Sequence, residues 1–201
     1  MREGLKAFAR GAAWILVTPS VFSWALRSRM LGADRALEGS TQAWALVPGL
    51  PGQYLRRAFL SRSLAFCAHN ATIEFGTLFS SVAASIGDRA YVGPRCHLGW
   101  AVIEDDVLLA AGVHVPSGAR THGIEDLTTA IRDQPTTKTP VRIGRGSWIG
   151  SAAIVLADVG QDVVVAAGAV VTRPIPDAAI AAGVPARVIR YRDGRLPERV
   201  D

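Results

Sequence analysis

Aliphatic and aromatic residues recur from Ile73 onward, mostly at steps of six. They stand at Ile73, Phe79, Ile86, Val92, Leu98, Ile103, Leu109 and Val115. After a gap they resume at Ile143, Ile149, Val155, Val159, Val165 and Val171. Glycine often follows, as at Gly87, Gly93, Gly99, Gly144, Gly150 and Gly160. A small or apolar residue sits four places on, at Ala90, Cys96, Val102, Val107, Val113, Ala119, Ser147, Ala153, Val163 and Ala169. Six fits neither an amphipathic helix nor a hairpin meander. It suits a solenoid with three short flat faces, each about one hexad long. The first position then points into a narrow prism, and the glycine after it relieves strain near a corner. The fifth position also faces inward, where only a modest side chain fits. Coils stacked this way pair as parallel strands, an arrangement that suits β-branched residues.

The chain before His69 reads differently. The pattern predicts helices over Arg2–Val17 and Val21–Leu31, with Pro19 between them, and over Gln53–Phe66 after the Pro51-Gly52 turn. Arg56, Arg57 and Arg62 fall on or near one face of the last helix, as a solvated face or as contacts to phosphate. The uncharged stretch Gly11–Leu26 is short for a spanning helix, which needs ~20 apolar residues. Read as a signal peptide, Arg2, Lys6 and Arg10 would form its basic region, but no small-residue cleavage site follows. Two further readings stay open: a helix lying in a membrane interface with Trp14 and Trp24 as anchors, and a hairpin packed on the protein. The division expected is a helical segment over 1–69, with peripheral membrane contact through residues 1–31 left open. A solenoid over 70–190 with a protruding loop at 124–140 and a tail over 191–201 complete it.

Composition narrows the chemistry. The 201 residues are 49% hydrophobic and 19% charged, enough apolar surface for a real core. A net charge of +5 favours an anionic partner such as a phosphate-bearing cosubstrate. Twenty glycines and 11 prolines argue against a helical bundle. With only Cys67 and Cys96, no disulfide scaffold or cysteine-rich zinc module is available. The basic residues do not alternate with aromatics in a nucleic-acid-binding pattern, so no nucleic acid is expected.

The repeats, with Ile143-Gly144-Arg145-Gly146-Ser147-Trp148-Ile149-Gly150-Ser151 and Ala182-Gly183-Val184-Pro185-Ala186-Arg187-Val188-Ile189-Arg190, resemble the hexapeptide-repeat acyltransferases. The Pro-Gly-Leu-Pro-Gly segment and the run from Ser117-Gly118 to His122-Gly123 look most like exopolysaccharide O-acetyltransferases. The resemblance implies a mainly β fold, a left-handed parallel β-helix preceded by an α-helical N-terminal segment. It also implies a homotrimer that transfers an acetyl group from acetyl-CoA to a sugar hydroxyl, with no metal. The acceptor expected is a polysaccharide or a lipid-linked glycan precursor, and the location cytoplasmic, with the inner membrane face open.

His122 stands where the chain leaves the solenoid, partly exposed yet anchored, which suits a general base. The family's catalytic histidine occupies this place. Glu125 and Asp126 are near enough in sequence to orient it, and Asp105 one coil earlier is a second possibility. His114 is more often a corner or subunit contact than a catalyst. Asp105 and His114 are the acceptor-binding candidates. By resemblance, the Ser151 N–H holds the oxyanion, and Trp148 lines the coenzyme cleft. Ala167, Gly168, Thr172, Arg173, Arg187 and Arg190 match positions that contact coenzyme A, where arginine's planar fork suits phosphate. Departures are Glu104 and Ala110 in place of glycine, the four-residue step from Val155 to Val159, and an N-terminal third unlike the maltose-type enzymes. A zinc enzyme similar to the γ-type carbonic anhydrases would use His97, His114 and His122, but its closely spaced histidine pair is missing. A non-catalytic solenoid scaffold is the remaining class.

Overall fold

The computed structural model describes residues 2–196, and the tail is described only as far as Leu196. Three helices come first: α1 (Arg2–Leu31), α2 (Ala33–Ala45) and α3 (Gly49–Leu60). Pro19 does not divide α1, contrary to the sequence expectation. Proline removes the donor for the Ile15 carbonyl. Beside it, the Trp14 carbonyl accepts from the Thr18 hydroxyl at 2.9 Å and from Arg62 at 3.1 Å. The helix stops at Gly32, whose φ of 85° suits a left-handed cap and whose N–H donates to the Ser28 carbonyl. At 1.5 Å per residue its 30 residues span ~45 Å.

The hexads form short strands that stack into three sheets, parallel throughout except at the closing strand. One contains β1 (Phe66–Cys67), β4 (Ser85–Ile86), β7 (Ala101–Ile103) and β10 (Val141–Ile143). A second contains β2 (Thr72–Ile73), β5 (Tyr91–Val92), β8 (Leu108–Leu109), β11 (Trp148–Ile149), β13 (Val164–Val165), β15 (Ala179–Gly183) and β16 (Ala186–Tyr191). The third contains β3 (Leu78–Phe79), β6 (His97–Leu98), β9 (His114–Val115), β12 (Ile154–Val155) and β14 (Val170–Val171). Every apolar residue at the first hexad position, from Ile73 to Val171, is buried in the prism.

Two details of the repeat differ from expectation. Val102 is only half-buried and Ala119 is exposed, because the step from Leu98 to Ile103 is five residues and brings Ala101 inward instead, while the chain has left the prism before Ala119. The glycine after the apolar residue serves close stacking rather than a strained corner. A Cβ at Gly93 would stand 2.7 Å from the Ala110 carbonyl carbon of the next coil. The left-handed conformation falls two residues later, at Arg95, Asp106, Ala152 and Asp162.

Both ends of the solenoid are covered. At the start, α3 packs on β1 and β2, and α2 on β3. Arg56 of α3 is buried and donates to the carbonyls of Ile73 (2.9 Å) and Val47 (2.6 Å). At the finish β16 turns back antiparallel on β15. No helix among the described residues is long and apolar enough to cross a membrane.

Candidate active site

Between β9 and β10 the chain leaves the solenoid, and the exit is pinched shut at its base. Ser117 is buried; its hydroxyl accepts from the Trp100 N–H at 2.9 Å and its carbonyl from the Thr139 N–H at 3.0 Å. Gly118 has φ 87°, and a Cβ there would run into the Thr139 hydroxyl, so glycine is required twice over. The loop is knotted inside by buried Gln134. Its amide donates to the carbonyls of Asp126 (2.7 Å) and Thr129 (2.9 Å) and accepts from the Asp126 N–H (3.3 Å). Lys138 pairs with Asp34 of α2 at 2.6 Å, and Asp34 also accepts from the Val82 N–H, so the loop is tied to the helical segment.

This frame holds the exposed His122 ring at a groove of about 300 Å³, lined also by Glu38, His97, His114, Ser117 and Lys138. Among the described residues no group hydrogen-bonds the His122 ring. His97 and His114 are register partners on adjacent coils, and their rings meet edge to face with centroids 6.0 Å apart. Burial pulls the His97 pKa down, and His114 acts in the same direction while Glu38 opposes it. On the loop side of His122, a broader cleft is lined by Arg120, Glu125, Asp126 and Thr137.

The other residues singled out by sequence are distributed as follows. Asp126 is occupied by its own loop: its carboxylate accepts from the Thr128 N–H (2.8 Å) and from the hydroxyls of Thr128 and Thr129, which hold its pKa down at about 2. Asp105 accepts from the Asp88 N–H at 2.7 Å, at the turn after β7, and does not line the groove. Trp148 is half-exposed on the outer face of the second sheet. Ser151 stands at the corner joining that sheet to the third, where its carbonyl accepts from the Gly168 N–H of the next coil at 2.8 Å. Its own N–H has no acceptor among the described residues. Ala167 and Gly168 stack directly beside it, and Arg187 lies opposite Ala182 in the closing hairpin. Arg190, Thr172 and Arg173 are exposed, the last two at the corner where the third sheet passes to the first.

One chain therefore brings His122 together with His114 but not with Ser151. The imidazole overhangs one edge of the third sheet, while Ser151 begins the opposite edge. His97, His114 and His122 share this groove, but among the described residues no three His, Cys, Asp or Glu side chains are placed to hold a metal ion. Sequence reasoning missed Glu38, Lys138 and Gln134. It gave His97 and His114 the same kind of corner position without pairing their rings, although Ile86 to Ile103 and Val92 to Leu109 already mark a coil of 17 residues, the spacing that stacks them.

The family model for the hexapeptide repeat of succinyl-transferase matches residues 83–116 and 140–173. A probable acetyltransferase of Mycobacterium tuberculosis is 40% identical over 92 residues, 45% of this chain, which spans only 30% of that protein's length. Galactoside O-acetyltransferase of Escherichia coli (strain K12) is 28% identical over 176 residues, 81% of either chain. A galactoside acetyltransferase solved in complex with coenzyme A superposes with a TM-score of 0.57 at 24% identity, covering 79% of this chain and 80% of that one. A maltose O-acetyltransferase from Clostridium difficile 630 superposes with a TM-score of 0.66 at 22% identity, covering 82% and 89%. The shared fold is the left-handed parallel β-helix.

Proposed function

We propose that the chain, which shares hexapeptide repeats and the left-handed β-helix fold with sugar O-acetyltransferases, transfers an acetyl group from acetyl-CoA to a sugar hydroxyl. The observation that carries this reading is the His122 imidazole, held over a polar groove by a loop rooted in the rigid wall. A nitrogen of that ring takes the acceptor's hydroxyl proton as the oxygen attacks the thioester carbonyl carbon. The Ser151 N–H steadies the oxyanion. Collapse then breaks the C–S bond, and the leaving thiolate recovers the proton from the imidazolium.

No covalent enzyme intermediate is needed, because positioning of two bound substrates supplies the advantage. His114 and Glu38 offer hydrogen bonds to acceptor hydroxyls. Trp148, Ala167 and Gly168 form the wall for the pantetheine arm, and Thr172, Arg173, Arg187 and Arg190 supply donors and charge for the phosphates. Because His122 and Ser151 lie at opposite edges of one sheet, the working site is shared between subunits of a homotrimer. The acceptor is a polysaccharide or lipid-linked glycan unit, since the groove is open and polar rather than a closed sugar pocket. A coenzyme A donor places the reaction in the cytoplasm.

The test is thiol release from acetyl-CoA across a panel of glycan acceptors. His122→Ala should lower turnover by ~10²–10⁴-fold without moving the melting temperature. A variant that keeps full turnover overturns the assignment of the base.

A further inference from the structure

α1 is apolar on two opposite faces, and only one of them is used. Ala13 and Val17 are buried against the protein, with Val21 and Trp24 packed beside them. About half a turn away, Leu5, Phe8, Ile15, Phe22, Leu26 and Met30 form a second stripe, each between 52% and 78% exposed. The residues that complete this stripe between Leu5 and Leu26 are Ala12, Pro19 and Ser23, so it is uncharged over most of the helix. Leu16 widens it toward α3, where it shares an apolar cleft of about 340 Å³ with Leu50 and Tyr54. Isolated exposed apolar residues are ordinary, but a row from Leu5 to Met30, ~38 Å long, marks an interaction surface.

Charge identifies the partner. Over Arg2–Leu31 the sequence carries Arg2, Lys6, Arg10, Arg27 and Arg29 against the single acidic residue Glu3. Lys6 and Arg29 are exposed, and Arg35 adds another exposed cation just past the helix. Trp14, half-exposed, flanks the stripe with the Arg62 guanidinium 3.7 Å above its ring. A second copy of this helix would bring like charges together. Lys6 and Arg10 lie seven residues before Ala13 and Val17, on the protein-facing side, whereas exposed Arg29 borders the stripe beside Phe22. At an anionic bilayer surface Arg29 meets headgroups while the stripe sinks to the acyl boundary. Pro19 on the outer face has no neighbour there to disturb. We propose that the outer face of α1 docks the protein on an anionic lipid surface, lying in its plane without crossing it. This goes beyond the acyl-transfer reading and stands independently of it.

The test floats the full chain with vesicles of phosphatidylcholine alone or with 30% phosphatidylglycerol. It compares wild type with the triple variant Phe8→Glu, Phe22→Glu, Leu26→Glu, whose positions face outward, and checks folding by circular dichroism. Wild type should partition at least tenfold more into the anionic vesicles, less in 0.5 M salt, and the folded variant should lose at least tenfold of that binding. Wild type that stays out of both vesicle types overturns the proposal, as does a folded variant that floats equally well. A fall in the variant's oligomeric mass by light scattering also overturns it, because the stripe then belongs to a second copy of the chain.

Discussion

Arg56 spends its guanidinium on backbone carbonyls. Besides Ile73 and Val47, it reaches the Trp44 carbonyl at 3.3 Å, so one side chain links α3, the end of α2 and the first coils. Burial pulls its pKa down, with Glu74 opposing. Arg56→Met removes the charge but strands carbonyls that have lost their donor, and should cost about 3 kcal/mol in urea unfolding. The sequence could not show this. Arg56, Arg57 and Arg62 read as a solvated row or as contacts to phosphate, yet Arg57 donates to the Ala71 carbonyl at 2.8 Å and Arg62 to Trp14 and Thr18, all acceptors distant along the chain. His97 gives a second test at this scale. Unfolded, it takes its proton near the ordinary value of about 6.5; folded, only at lower pH. Between those points the unfolded chain binds more protons, so stability falls as pH drops through that window and is unaffected above it. Melting temperatures from pH 7.5 to 5 should fall less for His97→Asn than for wild type.

Among elements, the solenoid strands were legible because burial alternates with so short a period that each hexad declares its inward residue. The helices were legible only in part: α1 and α3 were expected, with a break at Pro19 and a later end that the structure does not show, whereas α2 was not expected. α2 contains Gly39, Ser40 and Thr41, poor helix formers that weaken any helical pattern there. Tertiary contacts reverse that: the Ser40 hydroxyl donates to Ala36 and accepts from Arg27, and Thr41 reaches the Phe79 carbonyl of β3. The predicted helix Gln53–Phe66 ends instead at Leu60, where a turn over Ser61–Leu64 feeds Phe66 into β1. The loop after Val115 was visible as a break in the repeat, and so was His122, but not its internal tie. Gln134→Ala should release that tie. We expect faster tryptic cleavage at Arg132 or Lys138 and roughly tenfold slower thiol release, since small misplacement of a catalytic group is costly. The melting temperature should barely move, because the prism is untouched.

For the whole molecule, the proposed roles of His122 and Ser151 predict that assembly is a condition of activity. His122→Ala and Ser151→Pro, the second removing an N–H, should each be inactive when pure. Mixed after unfolding and refolding together, they should recover a measurable fraction of wild-type thiol release, because some interfaces then pair an intact imidazole with an intact N–H. The double variant in a single chain, mixed with itself, should recover nothing. A site complete within one chain would give no recovery in either mixture.

The two covers of the solenoid carry a consequence of a different kind. A stack of parallel coils has no intrinsic length: each new turn presents the same open backbone to the next, and left bare such an edge is a template for fibre growth. Here the helices stopper one mouth, and the reversal of β16 on β15 blocks the other. The number of turns is thus decided at the extremities and not by the repeat. A turn grafted midway, between β12 and β13, should lengthen the rod and leave it soluble, whereas paring away the closing hairpin should let rods join end to end.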